Sequence, residues 1–208
     1  MRRFAASRFV VDSAPGSGSG MRIMHPVIGF KEWQVVCDAL ASGRQSVILR
    51  KGGIHEGRAG FSFAHEEFFL FPTRFHAQGD QVREGVVKPM PEWQPGDLIR
   101  ITHHATAVWA KTLTDWEAVA GLARYHIYSD ATVRDRFDWE GKGMSAGSIH
   151  VALVRVVELA EPWEFPYEAK FGGCRSWVEI PEPPANWREI AKPVLGDGEF
   201  GELVAKLG

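Results

Sequence analysis

The chain has 208 residues, 45% of them hydrophobic and 24% charged, so it can bury the core of one sizeable domain. A formal net charge of −2 excludes a broad polycationic nucleic-acid surface and leaves only local basic patches. Two cysteines, Cys37 and Cys174, without a CxxC pair, give no thiolate zinc site and fit a reducing cytoplasm; no apolar run reaches the roughly 18 residues a membrane helix needs.

In chain order, Arg2, Arg3 and Arg8 precede any acid, but no apolar run follows them, so the start is a poor signal peptide. Pro15 and the Gly/Ser alternation to Gly20 read as a flexible linker. Residues 1–20 are expected to be a disordered leader added by an upstream start, with a domain beginning at Met21. Over residues 28–42, Trp33, Val36, Cys37 and Leu40 fall at i, i+3, i+4 and i+7, one apolar stripe of a helix. Gly43 stands where a left-handed C-terminal cap belongs, and "SVILR" follows as a strand.

"GGIHEGRAG" carries four glycines in nine residues, a loop by composition. "FSFAHEEFFLF" reads as an aromatic strand or strand pair ended by Pro72. Residues 77–96 form a polar, proline-punctuated surface connection. "PGDLIRI" is a turn feeding a strand, and "ATAVWAKTL" reads as the next strand. "TDWEAVAGLARYH" has Thr114 and Glu117 at capping-box spacing and predicts a helix; a second is expected at "SDATVRDRF", capped by Ser129 or Asp130. "HVALVRVVEL" is apolar almost throughout, a strand covered on both faces. The organisation is one α+β domain over residues 21–180, then a proline-rich arm over 181–208 that closes with a helix near Glu199–Leu207.

Several clusters carry chemistry. In "VILRKGGIHE", Arg50 can grip a phosphate with a two-pronged fork and Lys51 adds a point charge, while Gly52 and Gly53 let backbone N–H groups approach an oxyanion. His55 is a further lining candidate. The structural alternative is a charged turn. "YEAKFGGCRSW" repeats the theme, with Lys170 and Arg175 flanking Gly172 and Gly173, so two loops from distant parts of the chain can converge on one anionic ligand.

Glu168 and Lys170 also have the ExK spacing of metal-dependent nucleases, in which the acid binds a metal and the lysine steadies the attacking water. His65 and Glu67 share a strand face, and His76 can join them if Pro72 folds the chain back. The bland reading of all three is ordinary hydrogen-bonded side chains. Of eight tryptophans, Trp93, Trp139 and Trp177 sit among polar or glycine-rich neighbours and are candidates for base stacking. No GxSxG, HExxH or GxGxxG motif supports a common hydrolase, zinc protease or dinucleotide-binding protein.

Two resemblances rest on these residues. "FKEWQVVCDALASGRQSVILRKGGIHE", "FFLFPTRFH" and "FGGCRSWVEI" resemble the bacterial domain of unknown function 1802 family over nearly everything after Met21. Ala77 separates His76 from Gln78, where that family is expected to join the two. The family brings no established activity. More remotely, "ALASGRQSVILR" resembles the start of an ASCH-type domain in the PUA-like superfamily, with signature G-x-K-x-x-E-x-R. Gly43 and Arg50 match it, whereas Gln45 and Ile48 stand where the lysine and glutamate belong. This likeness implies a small PUA-like mixed β-barrel with inserted helices and a C-terminal arm. It also implies a cleft for RNA or a nucleotide-like anion, with Arg50 and Lys51 at its edge.

The functional expectation is therefore an anion-binding cytoplasmic protein using Arg50, Lys51, Gly52, Gly53, His55, Lys170 and Arg175, without a cofactor. The alternatives are a metal-dependent nuclease with Glu168 and Lys170, its divalent metal held if anywhere by His65, Glu67 and His76, and a protein–protein interaction module.

Overall fold

The computed structural model describes residues 26–51, 62–75, 78–83 and 90–208. Its framework is a mixed sheet of seven strands. These are β1 (Val27–Trp33), β2 (Val47–Arg50), β3 (Glu67–Thr73), β4 (Leu98–Leu113), β5 (Ile149–Pro166), β6 (Trp177–Ile180) and the short β7 (Lys192–Pro193). The order is β2-β5-β4-β3-β1-β6, with β7 beside β5; β1 and β3 run parallel and the other pairs antiparallel. The fold is α+β as expected. Among the described residues no ladder joins β2 to β6, so backbone pairing does not close the sheet into a barrel.

The spine is the β4–β5 ribbon, registered from Leu98 opposite Pro166 to Leu113 opposite Ile149. Register shifts at Ile101/His103 and Ala107/Trp109 bend it, as bulges do. The first bend divides two cores. Ile99, Ile101, Trp163 and Phe165 pack with Phe69, Phe71 and Phe171 on one side. On the other, Ala105, Ala107 and the Val151–Val156 run pack with helix α1 (Gln34–Ala41). The expected pair of strands at residues 97–113 is thus one strand, because β5 supplies partners along its whole length.

The helix expected over residues 28–42 is half strand. Val36, Cys37 and Leu40 are buried on α1 as the stripe predicts, but Val27–Trp33 lies between β3 and β6 and is bonded on both edges. Gly29 permits this close packing: a Cβ there would lie 3.1 Å from Ile180 and 3.2 Å from Val178. Gly43 ends α1 with φ +73°, the left-handed conformation glycine adopts without cost.

Two further helices carry caps that position the surface. Helix α2 (Trp116–Ala120) is capped by Asp115, which accepts from the N–H groups of Glu117 and Ala118; Thr114 is not its cap, and the helix is shorter than the sequence pattern suggests. Ser129 caps α3 (Asp130–Phe137) by accepting from Thr132 N–H. Gly147 passes so close to α3 that a Cβ would meet the Phe137 ring at 2.4 Å and its carbonyl oxygen at 2.8 Å. Gly147→Ala should therefore cost about 1–3 kcal/mol of stability, the usual range for overpacking, read as a lower urea midpoint.

The C-terminal arm is fastened to the sheet. Trp187, on α4 (Trp187–Ile190), packs against Phe69 at 4.9 Å and His104 at 4.6 Å between ring centroids, and Arg188 pairs with Glu67. Helix α5 (Asp197–Leu207) buries Phe200 in the larger core. Both cysteines are free, Cys37 buried and Cys174 exposed. Among the described residues no helix is long and apolar enough to cross a membrane.

Candidate anion-binding site

Arg50 ends β2 and reaches across to the opposite end of the sheet. Its Nη2 donates to Lys31 O at 2.5 Å and to Ser176 Oγ at 3.3 Å, Nη1 lies 3.7 Å from Glu32 Oε2, and the guanidinium sits 4.8 Å from the Phe30 ring centroid. A side chain thus links the two ends that backbone pairing leaves apart.

The residues it meets are unusual for a strand interior. Glu32 is 1% exposed. Its carboxylate also accepts from Tyr128 Oη at 3.2 Å and from Trp33 N–H at 2.8 Å, which offsets part of the cost of burying the charge. Tyr128 is fully buried; burial, then the nearby Glu32, push its phenol well above the ordinary value. Arg136 completes the cluster, donating to Leu49 O at 2.5 Å and lying between the rings of Trp33 and Tyr128.

Lys31, beside Glu32 on β1, holds the second glycine loop. Its Nζ donates to Phe171 O at 2.7 Å and Gly173 O at 2.6 Å, and its N–H bonds Ser176 O at 2.8 Å. Burial lowers its pKa most; Arg175 and, more weakly, Arg50 lower it further, against an opposing contribution from Cys174. The last strand residue of "VILRKGG" and the loop of "KFGGCRS" therefore do meet, and the cations gathered there press on one another.

Next to that junction is an open hollow of about 480 Å3. Lys170 and Arg175 line it with His65, Trp177 and Glu179, two cations against one acid. Arg175 donates through Nη2 to the backbone Lys170 O at 2.8 Å, which ties its guanidinium to the turn that carries Lys170. Trp177 is half-buried: it packs on Phe30 and Phe68, and its indole N–H donates to Ser62 O at 3.2 Å. His65 meets its ring edge-to-face at 5.0 Å, and partial burial lowers the imidazole pKa.

Other candidates are placed as follows. Lys51 is exposed just past β2, and Gly52, Gly53, His55 and His76 lie outside the described residues. Glu168 and Lys170 pair with each other at 2.8 Å, ahead of and within a short 3-10 turn rather than on a strand. Glu67 is bound to Arg188, whose hydrogen bond holds its carboxyl below the usual range, while His65 faces Trp177. Among the described residues no three His, Cys, Asp or Glu side chains gather as metal ligands. Trp93 donates its indole N–H to Pro72 O at 2.9 Å and stacks with Arg74 at 3.4 Å, and Trp139 is half-buried. Lys31, Glu32, Tyr128 and Arg136 belong to no motif of the sequence. Their available signal was the adjacent Lys-Glu pair inside the otherwise apolar "VIGFKEW".

Residues 29–206 match the family described as Domain of unknown function (DUF1802). The chain belongs to this family. Comparison of this DUF1802 protein with curated proteins gave no match. Among solved structures it is similar to ASCH from Zymomonas mobilis, at 14% identity and a TM-score of 0.44, covering 86% of this chain and 94% of that one. It is similar also to a serine-to-alanine mutant of ZmASCH from the same organism, at 13% identity and a TM-score of 0.44, over 87% and 96% of the two chains.

Proposed function

We propose that this DUF1802 protein binds single-stranded RNA or a nucleotide-like anion in the hollow beside β6. The observation that carries the reading is the convergence of Lys170, Arg175, His65 and Trp177 on one open concavity, backed by the cations Lys31 and Arg50. Guanidinium and ammonium groups take phosphate oxygens, and an indole edge or face can take a base. The likeness of Gly43 and Arg50 to the ASCH-type signature agrees with this, as would completion of a PUA-like barrel through the Arg50 bridge rather than through a ladder. Two free cysteines suit residence in a reducing cytoplasm. No cofactor enters the reading. Among the described residues Glu168 is paired with Lys170 and no metal-ligand cluster gathers, so the metal-dependent nuclease draws no support there. Among the described residues the exposed large apolar side chains Leu98, Val108 and Ile190 lie on β4 and α4 rather than on the hollow, so they lend it no docking surface.

The test is fluorescence polarisation with short single-stranded RNA, single-stranded DNA and duplex DNA, with and without Mg2+, checking that the probes stay intact. Two phosphate contacts on a single strand give a log–log salt slope of about −1.4, hence about sevenfold weaker binding from roughly 50 to 200 mM salt. The Lys170→Ala/Arg175→Ala double variant should bind at least about tenfold more weakly, the scale of losing two charge-assisted contacts. Tight binding indifferent to both salt and the double variant would place the ligand elsewhere.

A further inference from the structure

A second concavity, of about 440 Å3, shares no residue with the first: it is lined by Arg44, Arg83, Arg124 and His126, with Ala123 and Ile127 between them. We propose that it is a separate site for a phosphoryl oxyanion. Its lining carries three positive charges and, among the described residues, no negative one.

Hydrogen bonds from three parts of the chain hold this arrangement. Gln45, standing where the ASCH-type signature has lysine, is buried; its amide oxygen accepts Ile127 N–H at 3.1 Å and its amide nitrogen donates to Val47 O at 2.9 Å. Ser46 N–H bonds Tyr125 O at 3.0 Å. These bonds fix the α1–β2 turn, and with it Arg44, against residues 123–128. Arg83 approaches from the other side: its N–H bonds Ile127 O at 2.8 Å, and its Nη2 donates to the carbonyls of Ala123 and His126. Its guanidinium is thereby laid along the rim instead of swinging in solvent, which lowers the entropy lost on gripping a ligand.

Among the described residues the acid paired with Arg83 is Asp130, whose carboxylate is 3.9 Å from Arg83 Nη1 and mostly in water, so it neutralises little. His126 contributes shape and hydrogen bonding without charge: burial, then Arg83 and Arg136, lower its pKa to about 4. Planar guanidinium forks match the geometry of phosphate oxygens and bind them two at a time. The volume admits a diphosphate as easily as one phosphate of a nucleic-acid backbone. The oxyanion is the shared chemistry, and its source is read from the experiment.

That experiment is an amide NMR titration of the full chain with inorganic pyrophosphate and, separately, with a short single-stranded RNA. Saturable shifts are expected at residues 44–46, 83 and 123–127. They should weaken at least tenfold in the Arg44→Glu/Arg124→Glu double variant, both positions being exposed, while the rest of its spectrum stays in place. Lys170→Glu/Arg175→Glu should leave these shifts unchanged, which separates this site from the first hollow. Shifts with RNA that pyrophosphate displaces assign the anion to a nucleic-acid backbone; shifts with pyrophosphate alone assign it to a small free anion. The absence of saturable shifts here with either probe, or their persistence in the Arg44→Glu/Arg124→Glu variant, overturns the proposal.

Discussion

Arg50→Met should lower the unfolding free energy by about 3 kcal/mol, the lower end of the range for removing one partner of a buried ion pair. The substitution keeps an apolar stem against Phe30 but removes the donors to Lys31 O and Ser176 Oγ and leaves the Glu32 carboxylate, among the described residues, with Tyr128 and Trp33 N–H. Glu32→Gln in the same background should recover at least about 1 kcal/mol of that loss, because a neutral amide needs no counter-charge; residues sharing one network are non-additive in this sense. Urea unfolding of the single and double variants reads both effects. An Arg50→Met protein within about 0.5 kcal/mol of wild type, the range of a featureless surface change, would mean that the Arg50 bridge does not hold the sheet ends together. If the loss is as large as expected, weak RNA binding by an Arg50 variant reports on folding first. Binding then has to be judged at Lys170 and Arg175, which are exposed and can be changed without disturbing that bridge.

What the sequence made legible was local. Gly43 after an apolar stripe, Ser129 before "DATVRDRF", "SVILR" as a strand and the closing helix each depend on neighbours a few residues away, and the structure has all of them. The misread stretches depend on distant partners. Val27–Trp33 is a strand because β3 and β6 flank it, and Leu98–Leu113 is unbroken because β5 runs beside it, facts no short sequence window contains. The candidate site divides in the same way. Lys170 and Arg175 stand out by charge and glycine in the sequence, and the theme repeated in two loops has its structural counterpart in the contact of Arg50, at the end of β2, with Ser176. Lys31 and Glu32 gave no such sign, since what makes a buried ion tolerable is a partner 140 or 96 residues further along, Phe171 O for the lysine and Tyr128 for the glutamate.

Acid should weaken the fold well before most carboxylates protonate, and this is the second large effect. His104 and His126 are each 4% exposed, and both are held near pKa 4. Burial is the main cause for each. For His104, Glu67 opposes the shift and Arg188 adds to it; for His126, Arg83 and Arg136 add to it. In the unfolded chain both imidazoles take a proton near pH 6.5. The unfolded state therefore binds more protons between about pH 6.5 and 4, and stability rises with pH across that window. Their contribution is complete above about pH 6.5, is lost as pH falls toward 4, and changes no further below it. At about pH 5 the linkage relation gives a loss of about 2 kcal/mol per histidine, so about 4 kcal/mol for the pair relative to about pH 7.5. His103, held low by burial against an opposing Glu158, adds in the same direction. Urea midpoints at those two pH values measure the drop. His104 lies among Phe69 and Trp187, so His104→Phe keeps an aromatic ring there and should shrink the drop by about 2 kcal/mol. A drop of wild-type size in that variant would show that some other group governs the acid response.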